Sequence, residues 1–143
     1  MTYVANNDSS DLLTTRALDN WNSSSRVDGQ SSKTAPTLAG FRGKLVMAYV
    51  ANNDRNDLLT AELSSFIDAP SQWTGSRPVQ GQSSKTAPAL AVFQNQLVLA
   101  YVANNDSNDL LTASSTDGVS WTGSRPVQGQ SSKTGPTLFL APR

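Results

Sequence analysis

The stretch Gln82-Ser83-Ser84-Lys85-Thr86-Ala87-Pro88 occurs three times almost unchanged in this chain. The other copies are Gln30–Pro36 and Gln130–Pro136, and Gly135 replaces the Ala in the last of them. A second stretch, Tyr-Val-Ala-Asn-Asn-Asp, accompanies each copy, at Tyr3–Asp8, Tyr49–Asp54 and Tyr101–Asp106. Self-similarity at a fixed period indicates a repeat architecture, so every other feature has a position within the repeating unit.

The length of the repeat is nearly constant. Pro36 and Pro88 are 52 positions apart, and Pro88 and Pro136 are 48 apart. The tryptophans keep the same two spacings, at Trp21, Trp73 and Trp121. All the variation in length lies in one loop before the Trp, so the rest of the unit has a fixed spacing.

Each unit contains four short apolar or alternating runs separated by turn residues. In the third unit these predicted strands, named a to d, are Ala89–Phe93, Gln96–Ala103, Asp109–Ser114 and Trp121–Val127. Strand b is apolar on both faces, as expected for a central strand covered by neighbouring sheets. Strand d contains Pro126, which suits an edge strand. Four antiparallel strands in a unit of roughly 40–50 residues predict the blade of an all-β propeller.

The blade boundaries follow from these strands in a single predicted domain. Strands b to d of blade 1 lie in residues 1–30, with c at Asp11–Ala17 and d at Trp21–Val27. Blade 2 spans 31–82, blade 3 spans 83–130, and residues 135–143 supply the missing strand a. Propellers typically need 4–8 blades, so two chains joined head to tail are predicted to form a six-bladed ring. In this homodimer Thr137–Ala141 pairs with Met1–Ala5 of the other chain.

The composition excludes several classes of function. The 143 residues have a formal net charge of zero, so nucleic acid is not an expected partner and membrane insertion is not expected. Cysteine and histidine are both absent, which removes thiolate chemistry and the commonest general base. No cofactor is expected. The repeat begins directly after Met1 and Thr2, so we expect no signal peptide. The protein is then expected to be cytoplasmic or released by a non-classical route.

Two families of polar loops are predicted to share one face of the blades. In a four-stranded antiparallel blade the b–c loop and the d–a connection emerge on the same side. Their amides, hydroxyls, Lys and Asp suit a neutral polyhydroxyl ligand, and the Tyr residues that end strand b can stack on the apolar side of a sugar. The predicted ligand-binding residues are Tyr3, Asn6, Asn7, Asp8, Ser31, Ser32, Lys33, Thr34, Tyr49, Asn52, Asn53, Asp54, Ser83, Ser84, Lys85, Thr86, Tyr101, Asn104, Asn105, Asp106, Ser131, Ser132, Lys133 and Thr134.

Each of these assignments has a structural alternative. Asn, Asp, Ser and Thr in a hairpin loop also cap their own backbone. The Tyr residues suit core packing between blades at least as well as stacking. The three Trp residues follow the variable c–d loop on the opposite face, where packing is favoured and a stacking platform is the second choice. A non-binding repeat scaffold therefore stays open as an alternative function.

Enzymatic and metal-dependent functions are not expected. Glu62 is the only Glu in the chain, and each pair of aspartates three residues apart, such as Asp106 and Asp109, suits turn capping better than glycoside hydrolysis. Asn104, Asp106 and Asn108 alternate as calcium ligands do, but the loop lacks the Gly and the bidentate Glu of an EF-hand.

The repeats resemble those of bacterial sialidase-like propellers. The residues that carry the resemblance are Thr86–Phe93, Leu97–Tyr101 and Ala113–Trp121. Within the last of them, Ser115–Trp121 is similar to an Asp-box that lacks one residue, and the other two units depart from this motif. The chain looks most like the tandem-repeat propeller lectins. That resemblance implies binding of fucose and related sugars between blades.

Overall fold

The structure is a computed structural model that describes residues 1–17, 20–64 and 72–139. These residues form eleven β-strands, and the described ranges contain no α-helix. The predicted all-β class is confirmed.

The strands form three antiparallel sheets in which consecutive strands are neighbours. Sheet 1 contains β1 (Thr2–Val4), β2 (Asp11–Thr15) and β3 (Ser24–Ser31). Sheet 2 contains β4 (Thr37–Phe41), β5 (Lys44–Val50), β6 (Asp57–Leu63) and β7 (Arg77–Ser83). Sheet 3 contains β8 (Ala89–Phe93), β9 (Gln96–Val102), β10 (Asp109–Ser115) and β11 (Arg125–Ser131). Sheets 2 and 3 therefore follow the predicted order a, b, c, d.

The sheets pack face to face through two apolar clusters. Leu12 and Val27 of sheet 1 meet Met47 and Tyr49 of sheet 2. The opposite face of sheet 2 meets sheet 3 through residues that include Val46, Val50, Val79, Leu97, Leu99 and Tyr101. Sheet 2 thus lies between two apolar layers, which explains why β5 is apolar on both faces.

The turns between strands a and b are tight hairpins, as predicted. Arg42 and Gly43 join β4 to β5 with φ of 49° and 74°, and Gln94 and Asn95 join β8 to β9 with φ of 46° and 60°. Positive φ at both central residues gives the turn the twist that matches the flanking strands. Phe41 therefore pairs with Lys44, and the register of the hairpin is fixed from its turn.

The predicted position of strand d is wrong by several residues. The predictions Trp121–Val127 and Trp21–Val27 correspond to strands that run from Arg125 to Ser131 and from Ser24 to Ser31. In sheet 2, Asp57 pairs with Ser83 while Leu59 pairs with Pro78, so the outer strand contains a bulge. Gly81 lies in that bulge with φ of 69°, a conformation that glycine adopts without cost. The strand thus continues through residues that look like a turn.

Two smaller predictions also change. Strand c of the first unit ends at Thr15 rather than Ala17, and the equivalent strand of the third unit extends to Ser115. Residues 135–139 form no strand within a single chain, and sheet 1 has three strands. The remainder of the predicted strand a, 140–143, and the c–d loop residues 65–71 lie outside the described residues.

Candidate functional site

The b–c loops and the d–a connections lie together where consecutive sheets meet. Lys33, which follows β3 of sheet 1, donates through Nζ to Oδ1 of Asn56 in the b–c loop of sheet 2, at 2.8 Å. Lys85, which follows β7 of sheet 2, donates through Nζ to Oδ1 of Asn108 in the b–c loop of sheet 3, at 3.0 Å. We call this side of the molecule the polar face.

The serines of the d–a connections secure the crossing from one sheet to the next. Ser32 Oγ donates to the carbonyl oxygen of Val50 at 2.9 Å, and Lys33 N donates to the same oxygen at 3.1 Å. At the second crossing Lys85 N donates to the oxygen of Val102 at 3.1 Å. Ser32 and Ser84 are fully buried, so these two predicted site residues hold the backbone and do not face a ligand.

The remaining residues of the connections differ in exposure. Ser31 and Ser83 end strands β3 and β7 and are half-buried, whereas Ser131 is exposed. Each central Ser also donates to the Thr two residues later, including Ser132 Oγ to Thr134 O at 2.8 Å. The hydroxyl oxygens of Thr34 and Thr86 are buried and make no hydrogen bond with any described residue. Lys133 and Thr134 are exposed.

The second Asn of each Asn-Asn-Asp run caps its own turn. Asn53 Nδ2 donates to Asp57 Oδ2 at 2.8 Å, and Asp57 N donates back to Asn53 Oδ1 at 3.3 Å. Equivalent pairs join Asn7 to Asp11 and Asn105 to Asp109. The capping alternative is thus observed for Asn7, Asn53 and Asn105.

The first Asn and the Asp of each run are exposed in all three b–c loops. They are Asn6, Asp8, Asn52, Asp54, Asn104 and Asp106. Asn104 Nδ2 donates to the carbonyl oxygen of Arg55 at 3.2 Å, which links the loops of sheets 2 and 3. Within the described residues, Asp54 and Asp106 make no hydrogen bond or ion pair. Their carboxylates are therefore free to accept hydrogen bonds from a ligand.

Tyr49 and Tyr101 are core residues, so the interpretation of these two rings as stacking platforms is wrong. Both side chains are fully buried between sheets, where no sugar can reach either ring face. Their hydroxyls donate to Oε1 of Gln30 and Gln82, and burial raises the pKa of both phenols. Tyr3, the equivalent residue of sheet 1, is half-buried.

The partners of these tyrosines were not among the predicted site residues. Gln30 and Gln82 begin the Gln-Ser-Ser-Lys-Thr repeat, and each is placed by the bulged outer strand of its sheet. Their strict repetition alongside Tyr was the available signal. A repeated Gln and a repeated Tyr that both lie near one face can form a buried pair, since a buried phenol usually finds a hydrogen-bond partner.

The last Asp of the b–c loop forms an ion pair with a nearby Arg in two of the three units. Asp11 accepts from Arg26 Nη2, and Asp57 accepts from Arg55 Nη2 at 3.0 Å. In residues 1–17, 20–64 and 72–139, no group of three or more acidic side chains could hold a metal ion. In the loop that resembles a calcium site, the Lys85 ammonium already contacts the amide oxygen of Asn108.

The opposite side of the molecule carries the Trp residues and a cavity, and we call it the Trp face. Between sheets 1 and 2 lies a cavity of about 170 Å³, whose lining includes Thr2, Thr14, Leu38, Leu45, Leu63 and Trp73. Trp73 forms a single bridge with Leu63 and packs against the core, and Trp121 also packs against a core cluster, as favoured from the sequence. Trp21 is 56% exposed, so the packing favoured for it is wrong within the single chain.

The Asp-box-like turn lies on the Trp face. Asp117 Oδ1 accepts hydrogen bonds from the backbone N of Ser120 at 2.7 Å and of Val119 at 2.8 Å. These two donors lower the pKa of Asp117 from 3.8 to about 2, because they stabilise the ionised carboxylate. The turn is therefore structural.

We expect Asp117 to titrate near pH 2 in an NMR experiment that follows its carboxyl carbon. Because the folded pKa lies below the unfolded one, the stabilisation is complete above about pH 5 and is lost as the pH falls towards 2. Asp117→Asn should therefore show a smaller fall in unfolding free energy across this range than the parent. Asp54→Asn, which removes an exposed carboxylate with no hydrogen bond, is the matched control. Equal changes in both variants would rule out the turn as the source.

No protein-family model and no curated protein sequence matches this chain. Within the described residues, no helix is long and apolar enough to cross a membrane.

Proposed function

We propose that the chain is a carbohydrate-binding protein with repeated sites on the polar face, one at each junction between sheets. The observation that carries the proposal is the recurrence of one arrangement at two junctions. At each, a Lys from one sheet contacts an Asn of the next, beside an exposed Asn and an Asp that has no partner among the described residues. An ammonium has three donors, and Lys33 uses one of them and Lys85 two.

The chemistry of these groups suits a neutral sugar. Exposed amides and hydroxyls both donate and accept, and the free carboxylates of Asp54 and Asp106 accept from sugar hydroxyls. The resemblance of the repeats to propeller lectins points to fucose and related sugars as the first ligands to test. A single shallow site offers few contacts and stays wet, so its affinity is weak, in the millimolar to micromolar range.

Multivalency strengthens such binding, and we propose that two copies supply it by closing a six-bladed ring. The outer faces of sheets 1 and 3 expose side chains whose repeat equivalents are buried. Val127 of sheet 3 is 36% exposed, whereas its equivalents Val27 and Val79 are 1% exposed. Met1 of sheet 1 is 62% exposed, whereas its equivalent Met47 is fully buried. Apposition of these two outer faces buries both sets, and rigid linkage of several weak sites raises avidity by roughly 10²–10⁴.

The Tyr–Gln pairs support the same closure. Tyr49 of sheet 2 bonds Gln30 of sheet 1, and Tyr101 of sheet 3 bonds Gln82 of sheet 2. Each Tyr therefore uses the Gln of the preceding sheet. Tyr3 and Gln130 are the members left over, on the two outer faces. In a ring of two copies, sheet 3 of one copy precedes sheet 1 of the other, so Gln130 of the first copy meets Tyr3 of the second.

The alternative function is a repeat scaffold that binds no sugar. The observation that favours it is the internal use of repeated polar groups, because Ser32, Ser84, Asn53 and Asp57 already bond each other or the backbone. The exposed Asp54 and Asp106 decide between the two functions, because internal bonding does not explain the repetition of their carboxylates.

A glycan array followed by calorimetric titration tests sugar binding. Removing both Asp54 and Asp106 by substitution with Ala should weaken binding roughly 10–150-fold per site, the effect of losing a hydrogen bond to a charged group. The fold should survive, because neither carboxylate has a partner among the described residues. Thr116→Ala on the Trp face is the control and should leave the affinity unchanged. Failure of the parent to bind any glycan would favour the scaffold.

A further inference from the structure

The cavity between sheets 1 and 2 has a filled counterpart at the next junction. Its walls include Leu38, Leu45 and Trp73 of sheet 2, together with Thr2 of sheet 1. Between sheets 2 and 3 the equivalent walls, which include Leu90, Leu97 and Trp121, pack in one cluster with Phe41, Val46 and Ala39. The cavity therefore marks a place where the repeat normally inserts apolar side chains.

Strand a supplies two of those side chains. Ala39 and Phe41 belong to β4, and Ala39 pairs with Val46 on the face that meets sheet 3. Sheet 1, as described, consists of strands β1 to β3 and has no strand in this position. The edge of β1 that a strand a would pair with is consequently open beside the cavity.

The repeat contains one exposed aromatic residue in the matching position. Phe139 follows Pro136 by the same interval as Ala39 follows Pro36. Its side chain is 81% exposed, more than any other large apolar side chain in the described residues. Covering this ring would remove a large apolar surface from water, which is favourable.

We propose that Phe139 of a second copy of this chain inserts into the cavity between sheets 1 and 2, an inference that rests on the ring closure proposed above. The volume is suitable, because a cavity of about 150 Å³ lined by apolar side chains holds a benzene ring, and this cavity measures about 170 Å³. Leu38, Leu45, Leu63 and Trp73 provide an apolar lining for the ring on one side, and the other walls are formed by Met1, Arg16 and five Thr and Ser residues.

The repeat also fixes the backbone register of the inserted segment. In sheet 2, Thr37 pairs with Ala48 and Leu38 pairs with Met47. The equivalent pairs across the two copies are Thr137 with Thr2 and Leu138 with Met1. Thr37 directs its hydroxyl towards sheet 3, where Oγ1 accepts from Leu90 N at 3.3 Å. Thr137 and Phe139, two residues apart, therefore face the cavity, and Leu138 faces the sheet from which the segment comes.

The size of Phe139 matches the larger space. Ala39 suffices between sheets 2 and 3 because Phe41 and Val46 fill the rest of that junction. The described part of sheet 1 has no side chain equivalent to either of them. The phenyl ring of Phe139 fills part of the volume that these two residues occupy elsewhere.

The first test is Phe139→Ala, with the dissociation constant of self-association measured by analytical ultracentrifugation. We expect the constant to rise roughly 10²–10⁴-fold, because the closed dimer loses two buried aromatic side chains and each contributes about 10–150-fold. Val119→Ala is the matched control, because Val119 is also an exposed apolar residue but belongs to the turn on the Trp face of sheet 3. An unchanged constant for Phe139→Ala would overturn the proposal.

The second test uses the absence of cysteine from the chain. Thr2→Cys combined with Thr137→Cys should give a disulfide-linked dimer under mild oxidation, because the proposed register brings these two positions opposite each other. Thr2→Cys with Thr134→Cys, three residues out of register, is the control and should stay uncrosslinked on denaturing gels.

The two tests distinguish the proposed closure of the ring from the proposed insertion of Phe139 into the cavity. If the Cys pair crosslinks and Phe139→Ala self-associates like the parent, the ring stands and the phenyl insertion is wrong. If the Cys pair does not crosslink and the parent chain does not self-associate at micromolar concentration, both proposals fail. If Phe139→Ala weakens association but only the control pair crosslinks, the register and hence the insertion are wrong.

Discussion

Tyr101→Ala is expected to lower the unfolding free energy by about 3–5 kcal/mol, the usual effect of truncating a buried aromatic side chain. Tyr101 is fully buried between sheets 2 and 3, and its hydroxyl donates to Gln82. A domain of this size has a total stability of roughly 5–15 kcal/mol, so the variant should be largely unfolded at moderate urea concentrations. The midpoint of urea unfolding, followed by circular dichroism, measures the effect.

Two matched variants separate packing from the hydrogen bond. Tyr101→Phe keeps the ring and leaves Oε1 of Gln82 without its donor, so we expect a loss of about 1–3 kcal/mol. Tyr3→Ala removes the half-buried equivalent on the outer face of sheet 1, and its effect on a monomeric sample should be smaller. If Tyr101→Ala kept the parent's urea midpoint and lost only sugar binding, the ring would be a ligand platform and the core assignment would be wrong.

Deletion of Pro136–Arg143 is expected to abolish self-association, with the dissociation constant raised by at least about 10⁴-fold, because both joins of the closed dimer lose their rings and their paired backbone. The physical reason is the loss of two contributions together, since the segment supplies both Phe139 and the backbone that pairs with the open edge of β1. The three sheets should persist, because their strands end at Ser131 and residues 135–139 form no strand in the single chain. Light scattering on the eluted protein at micromolar concentration measures the mass.

The deletion has its own internal control. Phe139→Ala retains the backbone segment and should weaken association less than the deletion does. A truncated chain that still forms a dimer of the parent's affinity would contradict strand exchange. It would then leave the apolar outer faces of sheets 1 and 3 as the whole interface, without a contribution from the C-terminal segment.

The sequence predicted most strands because their apolar patterns are strong. Ala89–Phe93 has the predicted bounds, and β9 differs from its prediction by one residue. Strand d was misplaced because Gln80-Gly81-Gln82 looks like a turn, whereas Gly81 allows the strand to bulge and continue. A glycine with positive φ is compatible with either outcome, and only the pairing of Asp57 with Ser83 decides between them.

The polar face was predictable in position and less so in detail. Alternation of strand direction brought Lys33 beside the loop that contains Asn56. Which of two adjacent asparagines caps the loop depends on backbone angles, and Asn56 with φ of 55° closes the turn so that Asn53 points back to Asp57. The burial of Tyr49 could not be predicted either, because an amphipathic ring is compatible with both a solvent-exposed surface and a core.

The tight a–b turns have a consequence for how the chain finds its fold. A polypeptide that carries Leu-Val-x-Ala-Tyr-Val twice offers β4 two chemically equivalent partners, at β5 and at β9. The two-residue connection at Arg42 and Gly43 favours pairing with β5, because closing a short loop costs less conformational entropy than closing the long loop to β9. The short connection thereby selects between two near-identical strands that side-chain chemistry alone distinguishes poorly. Substituting Gly43 with a β-branched residue, such as Val, should accordingly produce misassembled and aggregated chains during refolding, beyond any loss of native stability.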